Sequence, residues 1–131
     1  MVIVDTTVWI DYLNGVRTPE SDWLDREVAL QRLGLLDLML CEVLQGLASE
    51  DEAARVLRQL RQFEILGTGG TALAVEAARN FRWLCGKGRS VRKTVDCLIA
   101  TYCLVHGHSL LHKGRDFRPF EELLGLVVVH P

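Results

Sequence analysis

The feature that most constrains the fold is a regular alternation of short apolar strands with helices. The first strand is the β-branched run Val2-Ile3-Val4, which is followed at once by Asp5. An uninterrupted apolar run of this kind is typical of a strand that is buried on both faces of a parallel sheet. Further strands are predicted at residues 35–41, 64–66, 109–112 and 127–129. Helices are predicted at residues 6–13, 19–33, 42–46, 51–63, 71–85 and 90–106.

This alternation indicates an α/β protein that has a mainly parallel sheet with helices on both of its faces. The chain has 131 residues, which is enough for one domain with a substantial core, and we expect a single domain over residues 1–131. The segment 113–119 is predicted to be a turn between the strand 109–112 and the last part of the chain.

The amino-acid composition excludes a disordered chain, a collagen-like chain and a coiled coil. Hydrophobic residues make up 49% and charged residues 24% of the chain, as in an ordinary globular protein. Fifteen Lys and Arg against seventeen Asp and Glu give a net charge of −2, so affinity for a polyanion must come from a local patch or a bound cation. No apolar run is long enough to span a membrane. The N-terminus has no basic leader of the kind that directs export. Four cysteines without a C-x-x-C pair suggest reduced thiols. We therefore expect a cytoplasmic protein without a membrane segment.

Three acidic residues follow predicted strands. Asp5 lies at the end of the first strand, Glu42 just past the strand 35–41, and Asp116 a few residues past the strand 109–112. In open α/β sheets, ligand sites form outside the carboxyl ends of the strands, so these acids are expected at one rim. Asp96 is expected to join them, because a stripe of small residues lets its helix pack close to the sheet.

Carboxylates that cluster in this way repel each other unless a cation or a proton lies between them. The chemistry that uses such a cluster is the binding of Mg²⁺ or Mn²⁺, which can activate a water and orient a phosphodiester. Taken singly, each acid also has a structural explanation, as a helix cap, as a first-turn acid that faces a helix dipole, or as a turn residue.

The segment 79–93 carries six basic residues without an acid and has two aromatic residues among them. It could line an RNA path, in which charge attracts phosphates and an aromatic ring stacks on a base. The alternative is a solvated helix face. The candidate RNA-binding residues are Arg82, Lys87, Arg89, Arg92 and Lys93.

Four segments, taken in order along the chain, resemble the motifs of PIN-domain ribonucleases, and in particular of VapC-type toxins. The first is VDTTVWIDYL at residues 4–13 and the second is EVLQG at residues 42–46. The third is VRKTVDCLIA at residues 91–100, which is the closest match. The fourth is LLH at residues 110–112 followed by RDF at residues 115–117.

The resemblance implies a three-layer α/β/α sandwich with a sheet of four to five strands. It implies a Mg²⁺-dependent endoribonuclease, for which Mn²⁺ can substitute, and which acts as the toxin of a toxin–antitoxin pair. The acidic site that it implies consists of Asp5, Glu42, Asp96 and Asp116. Asp5, Asp96 and Asp116 are the implied metal ligands, and Thr7 is a supporting polar residue.

The resemblance also implies partners: an RNA substrate, a VapB-like antitoxin, and a second copy of the chain in a homodimer that forms a heterotetramer or a larger complex with the antitoxin. One position departs from the family pattern. Many relatives carry Asp-x-Asp-Phe in the fourth motif, whereas this chain has Gly114 at the first of those positions. The number of metal ions therefore stays open.

Other functions remain as alternatives. A ribonuclease that needs no metal could use a His pair such as His108 and His112 as acid and base. A signalling domain of the phospho-receiver type is also doubly wound, but it needs paired acids after the first strand, where this chain has Asp5-Thr6-Thr7. A PIN-like domain that binds without cleaving is a further possibility. A zinc site among the Cys and His residues at 97–112 has no standard ligand spacing.

Overall fold

A parallel sheet of four strands forms the centre of the molecule. The computed structural model describes residues 1–131 and places the strands in the order β3-β2-β1-β4. All three strand pairs are parallel. The strands are β1 (Val2–Val4), β2 (Leu33–Leu36), β3 (Glu64–Leu66) and β4 (Ser109–Leu111).

Seven helices connect and cover these strands: α1 (Thr6–Leu13), α2 (Pro19–Glu27), α3 (Asp37–Gln45), α4 (Glu50–Leu60), α5 (Thr71–Gly86), α6 (Thr94–His106) and α7 (Arg118–Leu124). From β1 the chain moves to β2 and then to β3, whereas β4 returns to the other side of β1. Because parallel crossovers are right-handed, α1 to α4 lie on one face, while α5 and α6 lie on the other. The predicted three-layer α/β/α sandwich with a parallel sheet of four strands is confirmed.

The core lies on both faces of the two central strands. Ile3 and Val4 of β1 and Leu35 and Leu36 of β2 are completely buried, as the apolar run at the start of the sequence predicts. From α1, the fully buried Trp9 packs its ring 4.7 Å from that of Phe63. Removal of this apolar surface from water is the main force that holds the helices on the sheet.

The predicted bounds of the second strand, 35–41, are wrong. β2 ends at Leu36, and Asp37 begins α3. The carboxylate of Asp37 accepts hydrogen bonds from the backbone N–H of Leu38 (2.9 Å) and from the hydroxyl of Thr68 (2.6 Å), which fixes the change from strand to helix. Both the strand and the first turns of the helix are apolar, so hydrophobicity alone does not mark this boundary.

Other boundaries also differ from the predicted ones. α2 ends at Glu27 instead of residue 33, and α6 begins at Thr94 instead of residue 90. The predicted turn 113–119 runs into α7, a helix that was not predicted and that has Pro119 in its first turn. The predicted strand 127–129 is reduced to one bridge between Leu110 and Val128.

Gly34 provides a test of the sheet packing. It pairs with Ile3 on one side and with Glu64 on the other. A Cβ at this position would lie 2.8 Å from the backbone oxygen of Glu64, which is too close for a real contact. We expect Gly34→Ala to lower the free energy of unfolding by about 1–3 kcal/mol, because the strands must move apart.

The matched control is Gly86→Ala at the end of α5, where no atom lies within 4 Å of the added Cβ. This variant should be neutral or slightly stabilising, since alanine favours the helix. Urea denaturation of both variants measures the difference. Equal stability of the two variants would contradict the close packing at Gly34.

Candidate active site

Asp5 occupies the carboxyl end of the central strand. Its backbone N–H donates to the carbonyl of Leu111 (2.9 Å), which ties the ends of β1 and β4 together. Its own carbonyl accepts from the N–H groups of Val8 and Trp9, both at 3.1 Å, so α1 begins immediately after it. The Thr7 hydroxyl donates to Asp5 Oδ2 at 3.3 Å. The backbone therefore holds this carboxylate at the rim of the sheet, and Thr7 supports it as predicted.

Glu42 reaches the same rim from a helix. It lies within α3 and not just past a strand, because α3 begins at Asp37. The Thr6 hydroxyl donates to Glu42 Oε1 at 2.8 Å. Asp5 occupies the cap position of α1, so Thr6 lies in the first turn of this helix and orients Glu42, a role that the sequence did not predict. The sequence signal for this role was the position of Thr6 beside Thr7 in the first motif.

Asp96 lies in the first turn of α6, and only 8% of its surface is exposed. The small residues that follow on its helix, Ala100 and Cys103, are almost completely buried. This is the predicted stripe that brings the helix close to the sheet. Asp116 lies in the segment between β4 and α7, also as predicted.

The four predicted acids line one cavity of about 100 Å³ at the carboxyl edge of the sheet. Its lining residues are Asp5, Thr6, Thr7, Glu42, Lys93, Asp96, Lys113, Asp116 and Phe117. The acids come from four separate parts of the chain, so the sheet topology brings them together. No three His, Cys, Asp or Glu side chains are arranged as a ready-made metal-binding group anywhere in the chain.

Two of these acids, Asp5 and Asp96, have raised pKa values because they are buried. Burial is the main cause that raises the pKa of Asp5 from 3.8 to about 7; a backbone hydrogen bond from Thr6 opposes the shift, and the charges of Asp96 and Glu42 contribute to it. The pKa of Asp96 rises to about 6, again mainly through burial, although nearby Lys93 favours its ionised form. In the absence of a cation, Asp5 is therefore partly protonated at neutral pH, whereas Asp96 is mostly ionised there and takes up its proton near pH 6.

The predicted RNA-binding residues divide into two groups. Arg92 donates from Nε (3.2 Å) and Nη2 (3.1 Å) to Asp116 Oδ1, and Lys93 lines the cavity. Arg89 instead pairs with Glu122 at 2.7 Å, and the Lys87 ammonium lies over the Trp83 ring. The fifth residue, Arg82, lines a mostly apolar groove between α5 and α6. Only two of the five therefore adjoin the acidic cavity.

The His pair does not form a second candidate site. His108 precedes β4 and His112 follows it, so they lie at opposite ends of the strand, roughly 13 Å apart along an extended chain. His112 is 8% exposed and packs against Phe117, and neither His lines the acidic cavity. The two imidazoles therefore cannot act together on one phosphate.

Comparison with known proteins identifies the family. The sequence-family model of the PIN domain matches residues 2–123 of this chain. The chain belongs to the PIN domain family. It is 28% identical over 126 residues to VapC ribonuclease Mb1587 from Mycobacterium bovis and, to the same extent, to Ribonuclease VapC11 from Mycobacterium tuberculosis. Each of these alignments covers 89% of both proteins. The resemblance that the four motifs predicted is thereby confirmed.

Solved structures confirm the fold of this PIN domain. It superimposes with a TM-score of 0.77 on VapBC2 from Rickettsia felis bound to a DNA fragment from their promoter, at 16% identity and over 98% of both chains. The TM-score is 0.74 for FitAcB from Neisseria gonorrhoeae, at 20% identity over 99% of this chain and 97% of that one. No helix of the PIN domain is both long enough and apolar enough to cross a membrane.

The departure at Gly114 has a conformational reason. Its φ is +116°, in a region that residues with a side chain rarely adopt. An Asp at this position would strain the turn even though the space around it is open. The turn of this chain is therefore built for glycine, and the fourth motif contributes Asp116 as its acid.

The raised pKa of Asp5 predicts a pH-dependent stability without divalent cations. The folded state holds the Asp5 proton up to about pH 7, whereas the unfolded chain releases it near pH 3.8. The folded state thus binds more protons in this window, so the Asp5 contribution to stability is lost as the pH rises, with a slope that approaches about 1.4 kcal/mol per pH unit. The Asp5→Asn variant should have the same free energy of unfolding as wild type near pH 4 and a higher one near pH 8.

Thermal unfolding in EDTA across this pH range measures the effect. The buried His112 has a lowered pKa and contributes with the opposite sign, so the informative quantity is the difference between the variant and wild type. Asp51→Asn, in the exposed first turn of α4, is the matched control and should follow wild type. A difference between Asp5→Asn and wild type that does not change with pH would contradict the raised pKa.

Proposed function

We propose that the chain is a VapC-type endoribonuclease that hydrolyses RNA phosphodiester bonds with the help of Mg²⁺ and acts as the toxin of a toxin–antitoxin pair. The observation that carries this proposal is the single cavity lined by Asp5, Glu42, Asp96 and Asp116. The ribonuclease activity of the relatives supports it. The proposed place of action is the cytoplasm, where such a toxin would meet RNA.

The residues present fit a magnesium ion. Mg²⁺ prefers oxygen ligands and is usually held by one or two carboxylates, with waters at its remaining positions. The absence of a ready-made group of three ligands is therefore compatible with it. Asp5, Asp96 and Asp116 would hold the ion, and Mn²⁺ would substitute for Mg²⁺. A bound ion of this kind lowers the pKa of a water and neutralises charge on the phosphate.

The side chains of the cavity have distinct tasks in this proposal. Asp5 and Asp96 would hold the ion as carboxylates, because a nearby positive charge favours the ionised form. The Thr6 hydroxyl occupies Glu42 Oε1, so Oε2 is the oxygen that accepts a proton from the attacking water. Because water and not the ribose 2′-hydroxyl attacks, the products carry 5′-phosphate and 3′-hydroxyl ends.

Arg92 and Lys93 are the proposed contacts to the RNA backbone beside the cavity. The Arg92 side chain is 74% exposed and is held only by Asp116. If Asp116 held a cation, the guanidinium would be available to bind a phosphate, which it can recognise with two parallel donors. The other predicted residues, Arg82, Lys87 and Arg89, are at most peripheral contacts.

The proposed partner is a VapB-like antitoxin. Several structures that share this fold are complexes of a toxin with its antitoxin, including VapBC2 of Rickettsia felis and VapBC-1 of nontypeable Haemophilus influenzae. The acidic rim favours a basic side chain of the antitoxin, which would neutralise the carboxylates and displace the metal. The toxin would be a homodimer, and the complex a heterotetramer or larger.

Asp96→Asn tests the nuclease. The substitution keeps the shape of the side chain but removes a charge that the cation needs. Cleavage of single-stranded RNA should fall by more than about 100-fold, the upper range for loss of a residue that only orients a metal ligand. Asp51→Asn, also in the first turn of a helix but away from the cavity, is the matched control.

The assay follows end-labelled RNA with Mg²⁺, with Mn²⁺ and with excess EDTA. Wild type should cleave only with the metals. Cleavage in EDTA or 2′,3′-cyclic phosphate ends would contradict metal-activated water. A folded wild type that binds RNA but never cleaves it would instead favour the binding-only alternative.

Co-expression tests the partner. We expect the chain to co-purify with a small VapB-like protein that is encoded beside it, and the complex should lack ribonuclease activity because the acidic rim is covered. Removal of the antitoxin by denaturation and refolding of the toxin should restore cleavage, while the complex carried through a mock treatment stays inactive. A stable complex that cleaves RNA at the rate of the free toxin would contradict blocking of the site.

A further inference from the structure

Lys113 brings a positive charge into the wall of the acidic cavity. It lies two residues after the end of β4 and lines the cavity together with the four acids. Its side chain is 38% exposed, so the ammonium is accessible from the solvent. The sequence motifs assign no role to this residue.

The Lys113 ammonium forms an ion pair with Asp11, which lies on α1 outside the cavity lining. The side chain of Asp11 is only 14% exposed. A carboxylate with so little access to water needs a cation close by, so the pair holds both groups in place. Asp11 therefore anchors the ammonium from a residue that is not itself part of the cavity lining.

This anchor distinguishes Lys113 from the other cations at the cavity. Arg92 is bound to Asp116, one of the acids of the site, and Lys93 acts on the nearby Asp96. A free lysine at this position would be drawn to the same carboxylates and would compete with a metal ion. Pairing with Asp11 keeps the ammonium at the wall of the cavity, where its N–H groups can donate to another ligand.

We propose that Lys113 binds the phosphate of the RNA at the cleavage site and that Asp11 is the positioning residue that holds Lys113 for this contact. The proposal rests on the proposed ribonuclease function. A phosphodiester is an anion that four carboxylates repel, and a fixed cation in the cavity wall offsets this repulsion. Phosphoryl transfer is accelerated chiefly by such positioning and charge stabilisation.

The test uses the full chain and a fluorescein-labelled single-stranded RNA. Binding is measured by anisotropy in EDTA over a range of KCl concentrations, and cleavage is measured separately with Mg²⁺. Lys113→Gln should reduce the slope of log K against log salt by about 0.7, the value for one phosphate contact to a single strand. It should also lower kcat/KM at least about tenfold. Lys113→Arg should retain most of both.

Arg58→Gln is the control for a general loss of charge. Arg58 is exposed on α4 and does not line the cavity, so its removal changes the net charge equally without removing the contact. The salt slope and kcat/KM of this variant should equal those of wild type.

Asp11→Asn tests the positioning role through a double-mutant cycle. It should weaken RNA binding in the wild-type background and have no further effect in the Lys113→Gln background, because it acts only through the ammonium. Thermal unfolding of each variant verifies that the fold is retained. Additive effects of the two substitutions would overturn the role of Asp11.

The outcomes separate this inference from the function on which it rests. If wild type cleaves RNA with Mg²⁺ while Lys113→Gln retains the wild-type slope and kcat/KM, the inference is overturned and the nuclease stands. If wild type neither binds nor cleaves RNA, both are overturned. Tighter RNA binding by Lys113→Gln would show that the ammonium only neutralises the acids, and this too would overturn the inference.

Discussion

Negative charge with little access to water is the constraint on which the site depends. Parallel strands bring the carboxyl ends of β1, β2 and β4 to one edge, and the helices that cover the sheet remove most of the water there. Asp5 and Asp96 are each only 8% exposed. Carboxylates in such a place must take up a proton, form an ion pair or bind a cation. The acids of the cavity differ in which of these solutions they use.

These different solutions distinguish four residues of the same chemical type. Asp5 and Asp96 have raised pKa values, so protons compete with a cation for these two acids as the pH falls below neutral. Asp116 is paired with Arg92, and Glu42 accepts a hydrogen bond from the hydroxyl of Thr6. A metal ion in the proposed site would therefore compete with protons at two acids and with a guanidinium at a third. In the proposed reaction, Glu42, which the Thr6 hydroxyl orients, would take up the proton of the attacking water.

The sequence was informative wherever a local pattern determines the structure. The run Val2-Ile3-Val4 predicted the central strand and placed Asp5 at its end, and the small residues after Asp96 predicted the close approach of α6. The boundary at Asp37 was missed, because an apolar strand runs directly into the apolar side of a helix. The start of α7 did carry a signal, since Pro119 lies in its first turn.

Contacts between distant segments could not be predicted in this way. The pair of Lys113 and Asp11 joins α1 to the segment after β4, and no spacing along the chain marks it. The same holds for Arg92 and Asp116. A charged residue within a motif reveals its type, but its partner depends on how the elements pack. The acidic residues of the cavity were therefore predictable, whereas the ion pairs that its cations form were not.

The position of β1 in the sheet has a consequence for how the protein is made. β1 is translated before the other three strands, yet it pairs with β4, and the cavity is complete only when Asp116 has been added. Because a chain is synthesised from its N-terminus, the Asp5 carboxyl lacks its last neighbour in the cavity until the segment after β4 has been translated. A nascent chain that does not yet contain Asp116 therefore lacks the assembled cavity, so an activity based on this cavity could begin only after that segment has been made.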